Sequence, residues 1–209
     1  TGATGFLGGR LARTLVDHGY MVTGLGRNLT NGLRLKADGV HFLPIDLMDR
    51  SGLQVACAGC DVVVHSAALS TAWAKRDEFE LANVAGTRNI IEAAVGAGVR
   101  RLVHISTPAV LSRFEHQYDL NEEVSIPLSQ ISAYGETKVQ AECLVLQASG
   151  IETVILRPKA IYGPGDSALL PRIIEAALGG SLRIIGDGDT HTHLTHIDDV
   201  VRAIRLVIE

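Results

Sequence analysis

Apolar residues along the chain fall into short runs set apart by stretches of helical spacing. Residues 6–18 repeat them at three- and four-residue intervals, which predicts a helix, and Gly19 stands where a left-handed residue would end it. Residues 20–25 and 40–45 read as strands, the second closing at Asp46-Leu47, and residues 52–59 as a short helix. Residues 61–65 carry an unbroken valine run, the pattern of a strand buried on both faces. A long helix is predicted over 77–95, stopped near Gly96 and Gly98, then a strand over 101–106 broken by Thr107-Pro108. A polar loop over 108–130 leads to a helix over 132–148 and a strand over 152–156 that ends at Arg157-Pro158. Strands alternating with helices through short turns predict an α/β protein with a doubly wound parallel sheet.

From Gly163 the texture changes. A Gly-Pro-Gly-Asp stretch precedes a helix over 169–178 and an apolar strand over 182–185. Residues 1–162 therefore read as one domain, and 163–209 as the start of a smaller lobe with a return helix.

Composition narrows the class. The 209 residues are 46% hydrophobic and 20% charged, enough to bury a core, and the net charge of −4 without a basic block argues against nucleic acid as a partner. No apolar run approaches the ~20 residues of a membrane span. The cysteines suit a reducing compartment, and a cytoplasmic protein is expected. Cys57 and Cys60 form one C-x-x-C with no second pair or nearby histidine, so no zinc site is read there.

The chemistry starts at the first residues. Gly2, Gly5 and Gly8 are three apart and run into the first helix, with Thr4, Phe6 and Leu7 between and after them. Such a loop lets backbone N–H groups approach phosphate closely at a helix N-terminus. A loop of this kind follows a buried strand, and here the chain opens on the loop itself, so the sheet is expected to lack its first strand. Tyr134 and Lys138 are spaced i, i+4, which puts both on one helix face behind Ser132-Ala133. A lysine cation beside a phenol lowers its pKa from about 10, making the tyrosine a proton donor and acceptor. Ser106 and Thr107 stand at the carboxyl end of a strand, where open α/β sheets bind ligands.

Taken in order, the glycine loop, Thr107, Tyr134 and Lys138 resemble the extended short-chain dehydrogenase/reductase superfamily, a Rossmann-type fold. The resemblance covers essentially the whole chain. It implies that Asp46 and Leu47 touch the adenine, and that Ser66, Ala67 and Ala68 line the cofactor. It matches Asn83 to the family's helix asparagine, and Arg157-Pro158 through Ile161 to Asp166 to the stretch that closes over the nicotinamide. His196-Ile197-Asp198-Asp199-Val200 matches the late strand–helix junction. Thr107, Tyr134 and Lys138 then carry catalysis: Tyr134 exchanges the proton, Lys138 lowers its pKa and holds the ribose, and Thr107 orients the oxygen, with Ser106 on the cofactor side assisting it. The resemblance also implies a homodimer through the helices at 77–95 and 132–148.

Cofactor and substrate are read from finer positions. NAD sites of this fold place an acid about 20 residues after the glycines, but residues 18–37 hold no Asp or Glu, and Gly26-Arg27-Asn28 stands there instead. Arg27 suits a 2′-phosphate, so NADP(H) is preferred, with NAD(H) the alternative. Dehydratases of the superfamily follow the Ser-Thr pair with Asp-Glu, and this chain has Pro108-Ala109. Epimerases carry an asparagine where this chain has Ala160, and an arginine in the late strand where residues 188–194 have none. What remains resembles the 3β-hydroxysteroid dehydrogenase-like group, and within it the 2-alkyl-3-oxoalkanoate reductases. That resemblance rests on Ser106-Thr107-Pro108-Ala109-Val110, Ala72-Trp73 and Gly165-Asp166 leading to Leu169-Leu170-Pro171-Arg172. It implies an apolar carbonyl or hydroxyl substrate, contacted by Trp73, Pro108 and His193. His191, His193 and His196 lack a carboxylate partner at ligand spacing, and no metal is expected. A nucleotide-sugar epimerase is the second reading, and a dinucleotide-binding sensor without turnover the third.

Overall fold

The computed structural model describes residues 1–209 except Ala72, Ala168, Ile185 and Thr190. Helix α1 (Phe6–Asp17) is followed by β1 (Thr23–Leu25), α2 (Leu29–Ala37), β2 (His41–Leu43), α3 (Arg50–Cys57) and β3 (Val62–His65). Next come α4 (Arg76–Phe79), a π-helical segment (Glu80–Ala85) and α5 (Gly86–Gly96), which run on without a break into one rod. The chain continues through β4 (Arg101–Ile105), a 3₁₀ turn (Pro108–Leu111), α6 (Ala133–Gln147), β5 (Glu152–Leu156), β6 (Ile161–Tyr162), α7 (Leu170–Leu178), β7 (Thr195–His196) and α8 (Ile197–Ile208).

Strands β3, β4 and β5 form a parallel sheet in that order, and β1 pairs with β2, and β6 with β7, also in parallel. Alternation along β4 decides which helix covers which face. Leu102 packs with Val63, Leu53, Ile90 and Val145, from β3, α3, α5 and α6. Val103 and Ile105 point the other way, onto Leu11 of α1 and Val200 and Ile204 of α8. Helices on both faces of parallel strands make this a doubly wound α/β fold. The return helix α8 thus packs on the main sheet, whereas α7 has no buried residue.

Among the described residues β1–β2 and β3–β4–β5 are not hydrogen-bonded to each other. A cavity of about 620 Å³ separates them, lined by Thr23 and Leu25 of β1, Val62 and Val64 of β3, and Leu11 and Leu15 of α1. The first residues bridge it: the Thr1 nitrogen donates to the Val64 carbonyl at 2.7 Å, and the Ala3 N–H to the Leu25 carbonyl at 2.9 Å.

Three expectations need correction. Residues 182–184 form no strand, and Ile185 of the expected strand lies outside the described residues. Helix α2 was not anticipated; Gly32 interrupts its short apolar pattern, and its start is set by Asn28, whose side chain accepts from the Asn31 N–H at 2.9 Å. The long helix carries a π turn where regular α-helix was expected.

Candidate active site

The glycine loop is built by close approach. Gly2 has φ +72, and a Cβ there would lie 2.7 Å from the Ala67 backbone nitrogen. One on Gly8 would lie 2.2 Å from the Gly2 carbonyl oxygen. Gly5 is the N-cap of α1 and brings no side-chain acceptor, and the first turn holds no acid, so the helix's leading N–H groups stay open to an anion. Thr4 packs beside Gly26, while Phe6 and Leu7 pack into the α1–α8 core. The loop is tied to the turn after β3, where the Ser66 hydroxyl donates to the Thr1 carbonyl at 2.8 Å. Ala67 beside it is half-buried and Ala68 exposed.

Next to this turn, the π-helical segment places Asn83. Its amide oxygen accepts from the Leu69 N–H at 2.8 Å and its amide nitrogen donates to the Leu69 carbonyl at 3.1 Å. The same nitrogen donates to Thr137 Oγ1 at 3.2 Å, on α6. Asn83 thus clamps the cofactor-side turn to the helix that carries Tyr134 and Lys138. π turns recur at functional sites for this reason: the extra residue re-aims one side chain.

Helix α6 starts at Ser132, whose hydroxyl accepts from the Gly135 N–H at 3.1 Å. This cap sets Tyr134 in the first turn, its ring centroid 6.1 Å from that of buried Phe79. Thr107 ends β4's extension, and its hydroxyl accepts from the Ala109 N–H at 3.2 Å, with Pro108 opening the 3₁₀ turn. Ser106 is buried, and its Oγ has no hydrogen-bond partner among the described residues. A polar atom held dry at a strand end is a place for a ligand oxygen.

The expected effect of Lys138 on Tyr134 does not appear. Burial pushes the Tyr134 phenol up, and the hydroxyl that pulls it back down is that of Thr107. The Lys138 ammonium instead turns under the sheet end, 3.0 Å from His104 Nε2 and 2.9 Å from the Ile105 carbonyl. Burial lowers its pKa to about 8, with Glu142 opposing. Spacing correctly puts both residues on one helix, but says nothing of where a four-carbon stem leads its charge.

The imidazoles under the site were not read as site residues in sequence. His65 and His104 are register partners on β3 and β4, fully buried, with ring centroids 5.3 Å apart. Thr87 Oγ1 donates to the Asn83 carbonyl at 2.6 Å, so it accepts from His65 Nε2 at 3.0 Å. His65 Nδ1 then accepts from Thr1 Oγ1 at 2.7 Å, which links the glycine loop to the Asn83 clamp. Alternation within the two strands was the available signal; their pairing was not.

The remaining candidates lie around the rim. Arg27 is exposed, its Nε 3.7 Å from Asp46 Oδ2, so the basic and acidic candidates of the adenine side share one corner. Leu47 packs against Gly86, and its carbonyl accepts from Asn89 at 2.9 Å. Pro158 is half-buried and Ile161 opens β6; between them Ala160 takes φ +41, a strained setting for a residue with a Cβ. Trp73 is 91% exposed rather than a core aromatic, and Ala72 beside it lies outside the described residues. His193 is exposed. Among the described residues no three His, Cys, Asp or Glu side chains gather at metal-binding distance.

Comparison with known proteins places this geometry. The model of the NAD dependent epimerase/dehydratase family matches residues 1–209. A 2-alkyl-3-oxoalkanoate reductase of Stenotrophomonas maltophilia is 39% identical over 213 residues, covering 100% of this chain and 64% of that protein. A 4-hydroxy-2-methyl-3-oxo-4-farnesyl-3,4-dihydroquinoline-1-oxide ketoreductase of Stigmatella aurantiaca is 37% identical over 211 residues, covering 100% of this chain and 63% of that protein. The chain therefore spans under two thirds of the length of these relatives. The crystal structure of a UDP-glucuronic acid 4-epimerase from Bacillus cereus, in complex with UDP-glucuronic acid and NAD, superposes with TM-score 0.87 at 28% identity, over 100% of this chain and 71% of that one. The chain belongs to the NAD dependent epimerase/dehydratase family.

Proposed function

We propose that the protein is an NAD(P)-dependent oxidoreductase of the extended short-chain type, acting on a hydroxyl or 3-oxo group of an apolar substrate such as a 3-oxoacid or a 3β-hydroxysteroid. The observation that carries this is the convergence of Tyr134, Thr107 and unpartnered Ser106 at the carboxyl end of β4, with Lys138 buried one helical turn along. The ketoreductase names of two relatives support the substrate class.

The cradle fits a dinucleotide. Gly2 and Gly8 leave room that a Cβ would fill, and α1 offers uncapped N–H groups beyond Gly5. The loop would hold the pyrophosphate, Asp46 and Leu47 the adenine side, Ala67 and Ala68 the wall, and Pro158 with Ile161 the nicotinamide side. A nicotinamide held there would supply the hydride chemistry. Tyr134 moves a proton to or from the substrate oxygen, Thr107 and Ser106 hold that oxygen in place, and Lys138 keeps one N–H for a ribose hydroxyl. Trp73, Pro108 and His193 are the proposed substrate contacts. Arg27 supports NADP(H) over NAD(H).

We also infer that residues 1–162 form the dinucleotide domain, that a parallel strand leading into Thr1 belongs in the cavity between β1 and β3, and that residues 163–209 open the substrate lobe and carry the return helix. A homodimer through the α4–α5 rod and α6 is the proposed assembly, supported by exposed Leu81, Val95 and Leu146.

The test is whether cofactor is consumed. NADPH absorbance should fall in proportion to added 3-oxo substrate, and Tyr134→Phe should slow that turnover by ~10²–10⁴-fold while keeping cofactor affinity. Conversion of a UDP-sugar to its epimer without change in absorbance would make the protein an epimerase. Cofactor binding with neither reaction would make it a sensor.

A further inference from the structure

We propose that His104 is a positioning residue for Lys138: its neutral imidazole accepts the lysine's hydrogen bond and holds the ammonium at the carboxyl end of β4. The inference rests on the reading above that Tyr134 and Lys138 carry the proton chemistry.

A buried ammonium needs acceptors, because lysine's flexible stem otherwise carries its charge to water. Lys138 is only 2% exposed and finds two: His104 Nε2 at 3.0 Å and the Ile105 carbonyl at 2.9 Å. Both come from the last residues of β4, the strand that presents Ser106 and Thr107. An ammonium has three N–H groups, so this pair of bonds fixes its position and leaves one donor for a ligand. The carbonyl is a feature any residue supplies; the imidazole is specific to this chain position.

The polarity of the bond is set by its surroundings. Burial and the nearby lysine charge drive the His104 pKa down to about 3, while Lys138 stays near 8. At neutral pH the lysine donates and Nε2 accepts, which puts the ring proton on Nδ1. That nitrogen has no partner among the described residues. The unpaired N–H is a cost, which the charge-assisted bond accepted by Nε2 offsets. The groups facing the pair are His65 on β3, with the Thr1 hydroxyl behind it, and Glu142 on α6 with its partner Arg157. Glu142 is the anion among them and supports the lysine charge from a distance, while His104 and the Ile105 carbonyl accept its hydrogen bonds.

The test compares His104→Phe, which keeps a flat apolar ring without the acceptor, with His104→Gln, which restores an acceptor. The chain's lysines are Lys36, Lys75, Lys138 and Lys159, so ¹³Cε-labelled lysine resonances can be followed one by one through a pH titration. We expect Lys138 to titrate about one unit lower in His104→Phe than in wild type, and within ~0.3 unit of wild type in His104→Gln. Should His104→Phe fail to fold, His104→Leu removes the same acceptor. An unchanged Lys138 titration would overturn the proposal even if turnover is normal. A shifted titration without any turnover would leave it standing and overturn the oxidoreductase reading instead.

Discussion

Glu142 and Arg157 form a two-pronged ion pair, Nε to Oε1 at 2.9 Å and Nη2 to Oε2 at 2.6 Å, that bolts α6 to the end of β5. The Glu142 side chain is 1% exposed, so its charge depends on this partner and on the neighbouring Lys138. Arg157 keeps partial contact with solvent, which softens the loss when the pair is broken. We expect Glu142→Ala to cost about 2–4 kcal/mol, at or just under the range for removing one partner of a buried pair. A urea titration checks this through the midpoint at constant slope. A midpoint within error of wild type would mean that α6 is not held at β5 by this bond.

Buried bases make stability pH-dependent in a predictable direction. His65 and His104 are neutral in the folded protein, their pKa values driven well below the usual 6.5, to about 3 for His104. Between pH 6.5 and 3 the unfolded chain binds protons that the folded one does not, so stability falls as the solution is acidified. From pH 6.5 to 4, His104 alone should account for about 3 kcal/mol of that loss. His104→Gln should therefore lose less stability than wild type over this window, and equal acid slopes would show that the imidazole is not excluded from water.

Much of this fold is legible in sequence because each strand carries its own burial pattern. The valine run of β3 predicts a strand buried on both faces, and the glycine spacing predicts a loop that backbone must approach closely. What is lost is everything set between elements. Nothing in the residues around His65 or His104 announces that β3 and β4 pair in the register that sets the two rings side by side. The i, i+4 spacing of Tyr134 and Lys138 fixes a helix face but not the direction of the lysine stem, which follows the acceptors on β4. The apolar residues 182–184 resemble a strand only as long as no pairing edge is asked for, and no strand forms there. β6 and β7 are two-residue strands, too short to show any period.

Cofactor choice should turn on Arg27. The guanidinium is 83% exposed and only loosely held by Asp46 at 3.7 Å, so it is free to swing onto a 2′-phosphate. Arg27→Ala should weaken NADPH binding by about 1.5–3 kcal/mol, the worth of a charge-assisted hydrogen bond, and leave NADH nearly unchanged. Asp46→Asn, which releases the arginine and removes a repelling carboxylate, should move NADPH affinity the opposite way. Fluorescence titration of both cofactors distinguishes the variants. Equal losses for NADPH and NADH in Arg27→Ala would mean that the arginine never meets the 2′-phosphate.

The cavity between β1 and β3 leads to the last prediction. Its walls are two strand edges, with Thr23 and Leu25 on one side and Val62 and Val64 on the other. Unpaired strand edges recruit further strands, because every added residue satisfies backbone groups on both neighbours. Thr1 and Ala3 already do so at one end, bonding to Val64 and Leu25 respectively. An extended apolar heptapeptide of Val and Ile with charged ends should enter the cavity, bind in parallel register and raise the melting temperature in proportion to the logarithm of its concentration. The same heptapeptide joined through a peptide bond to Thr1 should raise it further, because the link makes its binding intramolecular. Hydrogen exchange should then show slowed amides in β1 and β3 and no change in α7. A melting temperature indifferent to both the free and the joined peptide would show that the space between the sheets is not a strand site.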